Sequence, residues 1–203
     1  MSYEQIPDQA TITATIDALK ANGMNAQFVA TAADAKAKVL EMIPTGSEVM
    51  TMSSQTLLET GIAQAINESG KFVSLHKQLY SLDRAKDGQR MQEIGAAPPI
   101  TIGSVQAISA KGAVMIASMT GSQLGAYSYG AGKVIWVVGA QKLVTDLMQA
   151  MDRLEKYVLP LESERAHKAY GVPGSVIAKV LLVNKEITPG RIEVIIVGEK
   201  LGY

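Results

Sequence analysis

Residues 26–75 read AQFVATAADAKAKVLEMIPTGSEVMTMSSQTLLETGIAQAINESGKFVSL, and the alternation inside this stretch decides the fold class. Residues 26–30 are a short apolar run suited to a strand. Thr31 with Asp34 three residues on makes a capping-box pattern, and Ala35, Val39 and Met42 then recur at helical spacing until Pro44 ends the run. Residues 48–52 read as a second strand. Ser53-Ser54-Gln55 opens a helix carrying Leu57, Leu58, Ile62 and Ala65, Gly70 closes it, and residues 71–75 read as a third strand. Strands that alternate with helices across connections of a few residues run parallel, with the helices on the faces of the sheet.

Outward from that stretch the pattern continues less regularly. Before it, Ile12, Ile16 and Leu19 have helical spacing between Asp8 and Gly23. After it come a polar segment, 83–93, expected to be helical, the breaker Pro98-Pro99 and a strand at 100–103. The apolar runs 113–117 and 134–138 are of the kind buried on both faces of a sheet, with a Gly- and Ser-rich stretch, 121–132, between them. Leu143, Leu147, Ala150, Met151, Leu154 and Val158 predict an amphipathic helix, followed by a polar helix over 162–170. The end reads as strands 176–183 and 192–197 around the turn signal Pro189-Gly190, a hairpin that would give the sheet an antiparallel edge. The fold class is α/β: one domain over residues 1–203, a mostly parallel open sheet flanked by helices, with a C-terminal antiparallel strand pair.

Composition removes several function classes. Lys plus Arg and Asp plus Glu number 19 each, so the basic excess that phosphate neutralisation demands of a nucleic-acid binder is missing. The chain has no cysteine, which excludes disulfides, thiolate metal ligation and a cysteine nucleophile. Its two histidines show no metal spacing, so no metal and no cofactor is expected. The start shows no basic segment followed by an apolar one, and no apolar run is long enough to cross a bilayer, so a cytoplasmic protein without membrane contact is expected.

In open α/β sheets, ligands bind beyond the carboxyl ends of the strands, so the residues leaving each strand are the candidates. Ser53, Ser54, Gln55 and Thr56 follow the second strand; hydroxyls entering a helix suit a phosphate or carboxylate, and equally suit a simple helix cap. Gly121, Ser122 and Gln123 follow the run 113–117, where a glycine permits close backbone approach to a ligand or merely satisfies a tight connection. Their spacing matches neither a dinucleotide fingerprint nor a P-loop. His76 follows the third strand, as a base or as a structural residue, and His167 sits on a solvated helix face. The methionines at 115, 119, 148 and 151, with Trp136, read as core.

Several segments in order resemble the LUD (lactate-utilisation) domain family. They are Asn22-Gly23-Met24 with the Thr31 helix, Pro44-Thr45-Gly46-Ser47, and Ser53-Ser54-Gln55-Thr56-Leu57. Further along come Gly103-Ser104-Val105-Gln106-Ala107-Ile108, and residues 133–139 followed by Gln141-Lys142-Leu143-Val144. Pro189-Gly190-Arg191-Ile192 and Val197-Gly198-Glu199-Lys200-Leu201-Gly202-Tyr203 complete the set. The resemblance implies a fold like that of sugar-phosphate isomerases and CoA transferases (the NagB/RpiA/CoA-transferase-like group), in which a Gly-, Ser- and Thr-rich loop after an early strand holds phosphate; that loop falls on residues 53–56. It also implies an association with growth on lactate beside an iron–sulfur oxidation system.

Two departures bear on mechanism. Residues 165–179 carry none of the cysteines that many LUD proteins of this length have before the last strand, which argues against a cluster in this chain. The nearest counterpart of the transferases' Glu-Gly is Ala110-Lys111-Gly112, and a lysine cannot form an acyl anhydride. Three readings follow. The first is a protein of lactate or organic-acid utilisation that binds a small anionic metabolite through Ser53, Ser54, Gln55, Thr56, Gly121, Ser122 and Gln123, with Lys111 or Arg191 neutralising charge. The second is a divergent isomerase or acyl-transferase using His76 or Lys111, and the third a non-catalytic subunit of an iron–sulfur lactate oxidation system. A homodimer is compatible with each.

Overall fold

The computed structural model describes residues 3–203. Helix α1 (Gln9–Ala21) starts at Asp8, whose carboxylate accepts from Thr11 N–H, and leads into β1 (Asn25–Val29). Thr31 and Asp34 form the reciprocal capping box of α2 (Ala32–Glu41), as their spacing implies. There follow β2 (Glu48–Thr51), α3 (Gln55–Glu59), α4 (Ile62–Glu68), β3 (Val73–Ser74), α5 (Leu75–Tyr80), α6 (Gly88–Ala96) and β4 (Ile100–Gly103). The third strand is shorter than its apolar run because Ser74 turns to cap α5, accepting from Lys77 N–H. The polar helix starts five residues later than its pattern suggests.

Next come β5 (Ala107–Ser109), β6 (Val114–Ser118), a single wide turn at Ala126–Gly130, β7 (Lys133–Gly139), a tight turn at Ala140–Lys142, and β8 (Leu143–Val144). Helices α7 (Leu147–Arg153) and α8 (Leu159–Tyr170) are joined end to end by another wide turn, Leu154–Val158. Strands β9 (Lys179–Val183) and β10 (Ile192–Val197) close the chain.

The main sheet has the order β1-β10-β7-β4-β2-β3, every pair parallel, so all its carboxyl ends lie along one edge. The period of two along its central strands builds both cores. Val134, Trp136, Val138, Ile192, Val194 and Ile196 face one side with α1, while Ile135, Val137, Ile195 and Val197 face α2 and α4 on the other. This explains the unbroken apolar runs, whose side chains are inside whichever way they point. A second sheet, β8-β5-β6-β9, packs Ile108, Val114 and Ile116 against the first and Ala107 and Met115 against α7 and the turn after it.

The expected C-terminal strand pair is corrected. β9 runs antiparallel to β6 at the edge of the second sheet, while β10 lies between β1 and β7 in the first. The turn at Pro189-Gly190 exists, with Arg191 N–H reaching Thr188 O at 3.3 Å. The connection is instead anchored below the main sheet by Glu186 N–H to Asn22 O at 2.9 Å, which carries the chain from one sheet to the other. Trp136 is core as its sequence context implies, but Met119 and Met148 are not: they are 48% and 83% exposed.

Candidate functional site

Because β4 lies between β2 and β7, the residues that leave these three strands are spatial neighbours. β2 ends at Thr51, and Ser54 caps α3 by accepting from Leu57 N–H at 3.4 Å. That cap turns Thr56 fully inward. β4 ends at Gly103, against which the Tyr127 hydroxyl packs so closely that a Cβ there would sit 1.7 Å from the phenol oxygen. Ser104 follows. β7 ends in the tight turn whose last residue is Lys142.

Lys142 is 2% exposed, and its Nζ donates to Thr56 Oγ1 at 3.0 Å and Ser104 Oγ at 3.1 Å. One amine thus ties together the ends of all three strands. Burial pulls its pKa down from 10.5 to about 7; the Arg153 guanidinium pushes the same way and the Glu59 carboxylate opposes. Arg153, at the end of α7, is fully buried. Its Nη1 donates to Gln106 O at 2.6 Å, whereas Nε and Nη2 meet no partner. Its guanidinium lies 5.2 Å from the centroid of the Tyr157 ring, and burial lowers its pKa to about 10, so it keeps its charge at neutrality. Neither cation has an ion pair with a carboxylate among the described residues. An unpaired buried charge costs several kcal/mol, and donors left unmade add to that cost.

The C-terminal segment roofs this site. Leu201 O accepts from Thr56 Oγ1 at 3.2 Å and Gln141 Nε2 at 3.0 Å, and Leu201 N–H donates to Gln141 Oε1 at 3.3 Å. Gly202 O also accepts from Gln141 Nε2 at 3.2 Å, and Gly202 N–H donates to Glu59 Oε2 at 2.6 Å. The Tyr203 hydroxyl donates to Glu162 Oε2 at 2.5 Å. Gly202 has φ +57°, and a Cβ there would lie 2.6 Å from Thr56 Oγ1, so the close approach needs glycine twice over. On the far side of Arg153, Tyr157 forms part of an open groove of about 820 Å³ lined also by Tyr3, Glu4, Asp146 and Asp152.

The candidates chosen from sequence are not all brought together. Thr56 is at the centre. Ser54 is its cap, Gln55 packs beside Gly202, and Ser53 is exposed next to them. His76 reaches the same edge from β3: its Nδ1 bonds Thr51 O at 2.9 Å and its ring lies 4.5 Å from that of Tyr80. A carbonyl partner requires the proton on Nδ1, which leaves Nε2 as the basic nitrogen.

Gly121, Ser122 and Gln123 leave the second sheet instead. Gly121 N–H and Gln123 Oε1 both bond the Ser118 hydroxyl, at 2.9 and 3.0 Å, and a Cβ on Gly121 would meet the Lys179 side chain, so this is a tight local connection. Lys111 is on an exposed turn tied through its carbonyl to Asn22 at 2.8 Å, on the edge where the parallel strands begin. Arg191 is on that same starting edge, immediately before β10. It is paired with Glu186 at 2.7 Å and donates to the carbonyls of Ala126, Tyr127 and Ala131 at 3.0 Å each. Neither cation reaches the carboxyl ends of the strands.

Ser104, Gln141 and Lys142 lie in segments that carry the family resemblance but have no expected site role, and Arg153 lies outside those segments. The available signal was a basic residue, Lys142, in the turn Gly139-Ala140-Gln141-Lys142 that follows the apolar run 134–138, the position from which α/β sheets present ligands.

The LUD domain model matches residues 12–197. The chain belongs to the LUD domain family. A crystal structure of a DUF162 family protein from Deinococcus radiodurans matches 98% of this LUD chain and 99% of its own, with a TM-score of 0.56 at 14% identity, a likeness of fold. No curated protein matches the chain. The family is associated in general terms with lactate utilisation, and the parallel sheet with flanking helices agrees with the fold the resemblance implies. No helix among the described residues is long and apolar enough to cross a membrane.

Proposed function

We propose that this LUD protein binds a small anionic metabolite, an organic acid of lactate metabolism, at the carboxyl ends of β2, β4 and β7. The observation that supports this reading is the pair of buried cations, Lys142 and Arg153, with two guanidinium nitrogens unpartnered and no buried acid among the described residues to balance them. A carboxylate has the planar pair of oxygens to which such a fork donates. The hydroxyls of Thr56 and Ser104 supply neutral partners, and the stretch 53–56 contributes the wall and the helix cap. A cytoplasmic setting and an iron–sulfur partner belong to the same proposal. The acyl-transferase alternative loses ground because Lys111, the nearest counterpart to the acidic nucleophile, is on the opposite edge of the sheet.

Isothermal calorimetry with L-lactate, pyruvate and inorganic phosphate tests the reading. Arg153→Met keeps the volume and removes the fork, and should weaken any carboxylate by about 10-fold to 100-fold, the worth of a charge-assisted bond. Equal affinity in the variant would remove Arg153 from the site.

A further inference from the structure

Lys142 and Arg153 are held to one short segment. Lys142 bonds Ser104 Oγ at 3.1 Å, and Arg153 bonds Gln106 O, two residues further on, at 2.6 Å. Only one of the two suits the role of charge partner. A guanidinium in a buried site stays charged, while an amine beside it, desolvated and bonded to nothing but hydroxyls, is relieved by losing its proton. A neutral amine is a poor anchor for an anion and a good nucleophile, and the recognised way to make a lysine nucleophilic is to bury it next to another cation. The two side chains therefore divide the work: one takes a carboxylate, and the other offers a lone pair to whatever carbon lies beside it.

We infer that Lys142 forms a Schiff base with a small 2-oxo acid whose carboxylate is held by Arg153. The inference rests on the anion-binding reading above and adds the ligand class and a covalent step. A 2-oxo acid is the ligand in which an electrophilic carbonyl carbon adjoins the carboxylate. The lone pair on Nζ attacks that carbon, giving a carbinolamine. The amine surrenders protons through the Ser104 and Thr56 hydroxyls that already touch it, and the carbinolamine oxygen departs as water. One C=N bond replaces one C=O bond, one water is released, and nothing is oxidised or reduced. The lowered pKa of Lys142, about 7, keeps a large share of the amine in the reactive form at neutral pH. The ligand enters past residues 201–203, whose hydrogen bonds to Gln141, Thr56 and Glu59 close the site.

The test is reductive trapping. The full chain is incubated with pyruvate, borohydride is added, and the product is read by intact mass and by peptide mapping, while calorimetry follows reversible binding of pyruvate, L-lactate and phosphate in parallel. One reduced adduct per chain on the peptide containing Lys142, lost in Lys142→Met and absent with L-lactate, supports the inference; so does trapping that is half-maximal near neutral pH. An adduct spread over exposed lysines, or one that persists in Lys142→Met, overturns it. Binding of pyruvate with no adduct overturns the covalent step and leaves anion binding standing, whereas no binding of any of the three anions overturns both. If Lys142→Met does not fold, the peptide map of the unaltered chain decides alone.

Discussion

Replacing Lys142 by Met should make the protein more stable, and by an amount that depends on pH. The amine titrates near 10.5 when exposed and near 7 in the folded chain, because burial and Arg153 both penalise its charge. Between these values the unfolded chain binds a proton that the folded chain does not. Raising the pH through that window removes the advantage of the unfolded state, so stability rises with pH. Each pH unit is worth up to about 1.4 kcal/mol, and the whole window about 5 kcal/mol. Below about pH 7 both states are protonated and the full penalty applies. Met fills a similar volume without a charge, so its chain lacks this dependence.

The assay is urea unfolding of both chains at several pH values between about 7 and 9, a window below the titration of the tyrosines. The quantity read is the difference in stability between the two chains, which cancels every other titrating group. The variant should be the more stable by several kcal/mol at the acid end, less whatever is lost when Thr56 and Ser104 give up their bonds to Nζ. The gap should narrow by about 1 kcal/mol per pH unit as the wild-type amine sheds its penalty. A gap that stays constant with pH would show that Lys142 keeps its proton in the folded state, and the account of its environment would fail with it.

Two further outcomes follow from the same geometry. Gly202→Ala forces a side chain into φ +57° and to 2.6 Å from Thr56 Oγ1, so the roof should detach at a cost of about 1–3 kcal/mol, read as faster amide exchange at Leu201 and Gly202 with α3 unchanged. Arg191→Met removes the partner of half-buried Glu186 and the buried donor to three carbonyls, and should cost about 3–5 kcal/mol in denaturant unfolding while leaving anion affinity intact, because it sits at the opposite edge from Lys142.

Local signals carried the reading where local physics decides the outcome. Thr31 with Asp34, the breaker at Pro44 and the runs 48–52 and 134–138 each act within a few residues, and the structure places a capped helix and strands at Glu48–Thr51 and Lys133–Gly139 there. The site itself was only half visible. Thr56 was legible because it enters a helix behind a strand. Lys142 was not, because the helical spacing of Leu143, Leu147 and Ala150 puts a helix start at 143, whereas residues 143–144 pair with β5 and the preceding turn carries the amine to the strand ends. Arg153 looked like one more polar residue on that helix, and nothing in its neighbours announces full burial. Arg191 and Lys111 were chosen for their charge, yet which edge of a sheet a residue occupies depends on strand order. β10 inserts between β1 and β7, a non-sequential placement that no local pattern encodes.

The roof and the cations set each other's energies. Six hydrogen bonds hold residues 201–203 down, counting both that Gln141 makes through Nε2, and at about 1 kcal/mol each their loss on opening is on the order of 6 kcal/mol. Against this stands Arg153, whose unpartnered Nε and Nη2 would each gain about 1.5–3 kcal/mol from a carboxylate oxygen. The two quantities are of the same size. A ligand that satisfied only the guanidinium while keeping the roof open would therefore bind weakly. A ligand small enough for the roof to close again behind it would keep both sets of bonds. Because both sets of bonds are kept only when residues 201–203 close again, the arrangement favours a small anion over a large one.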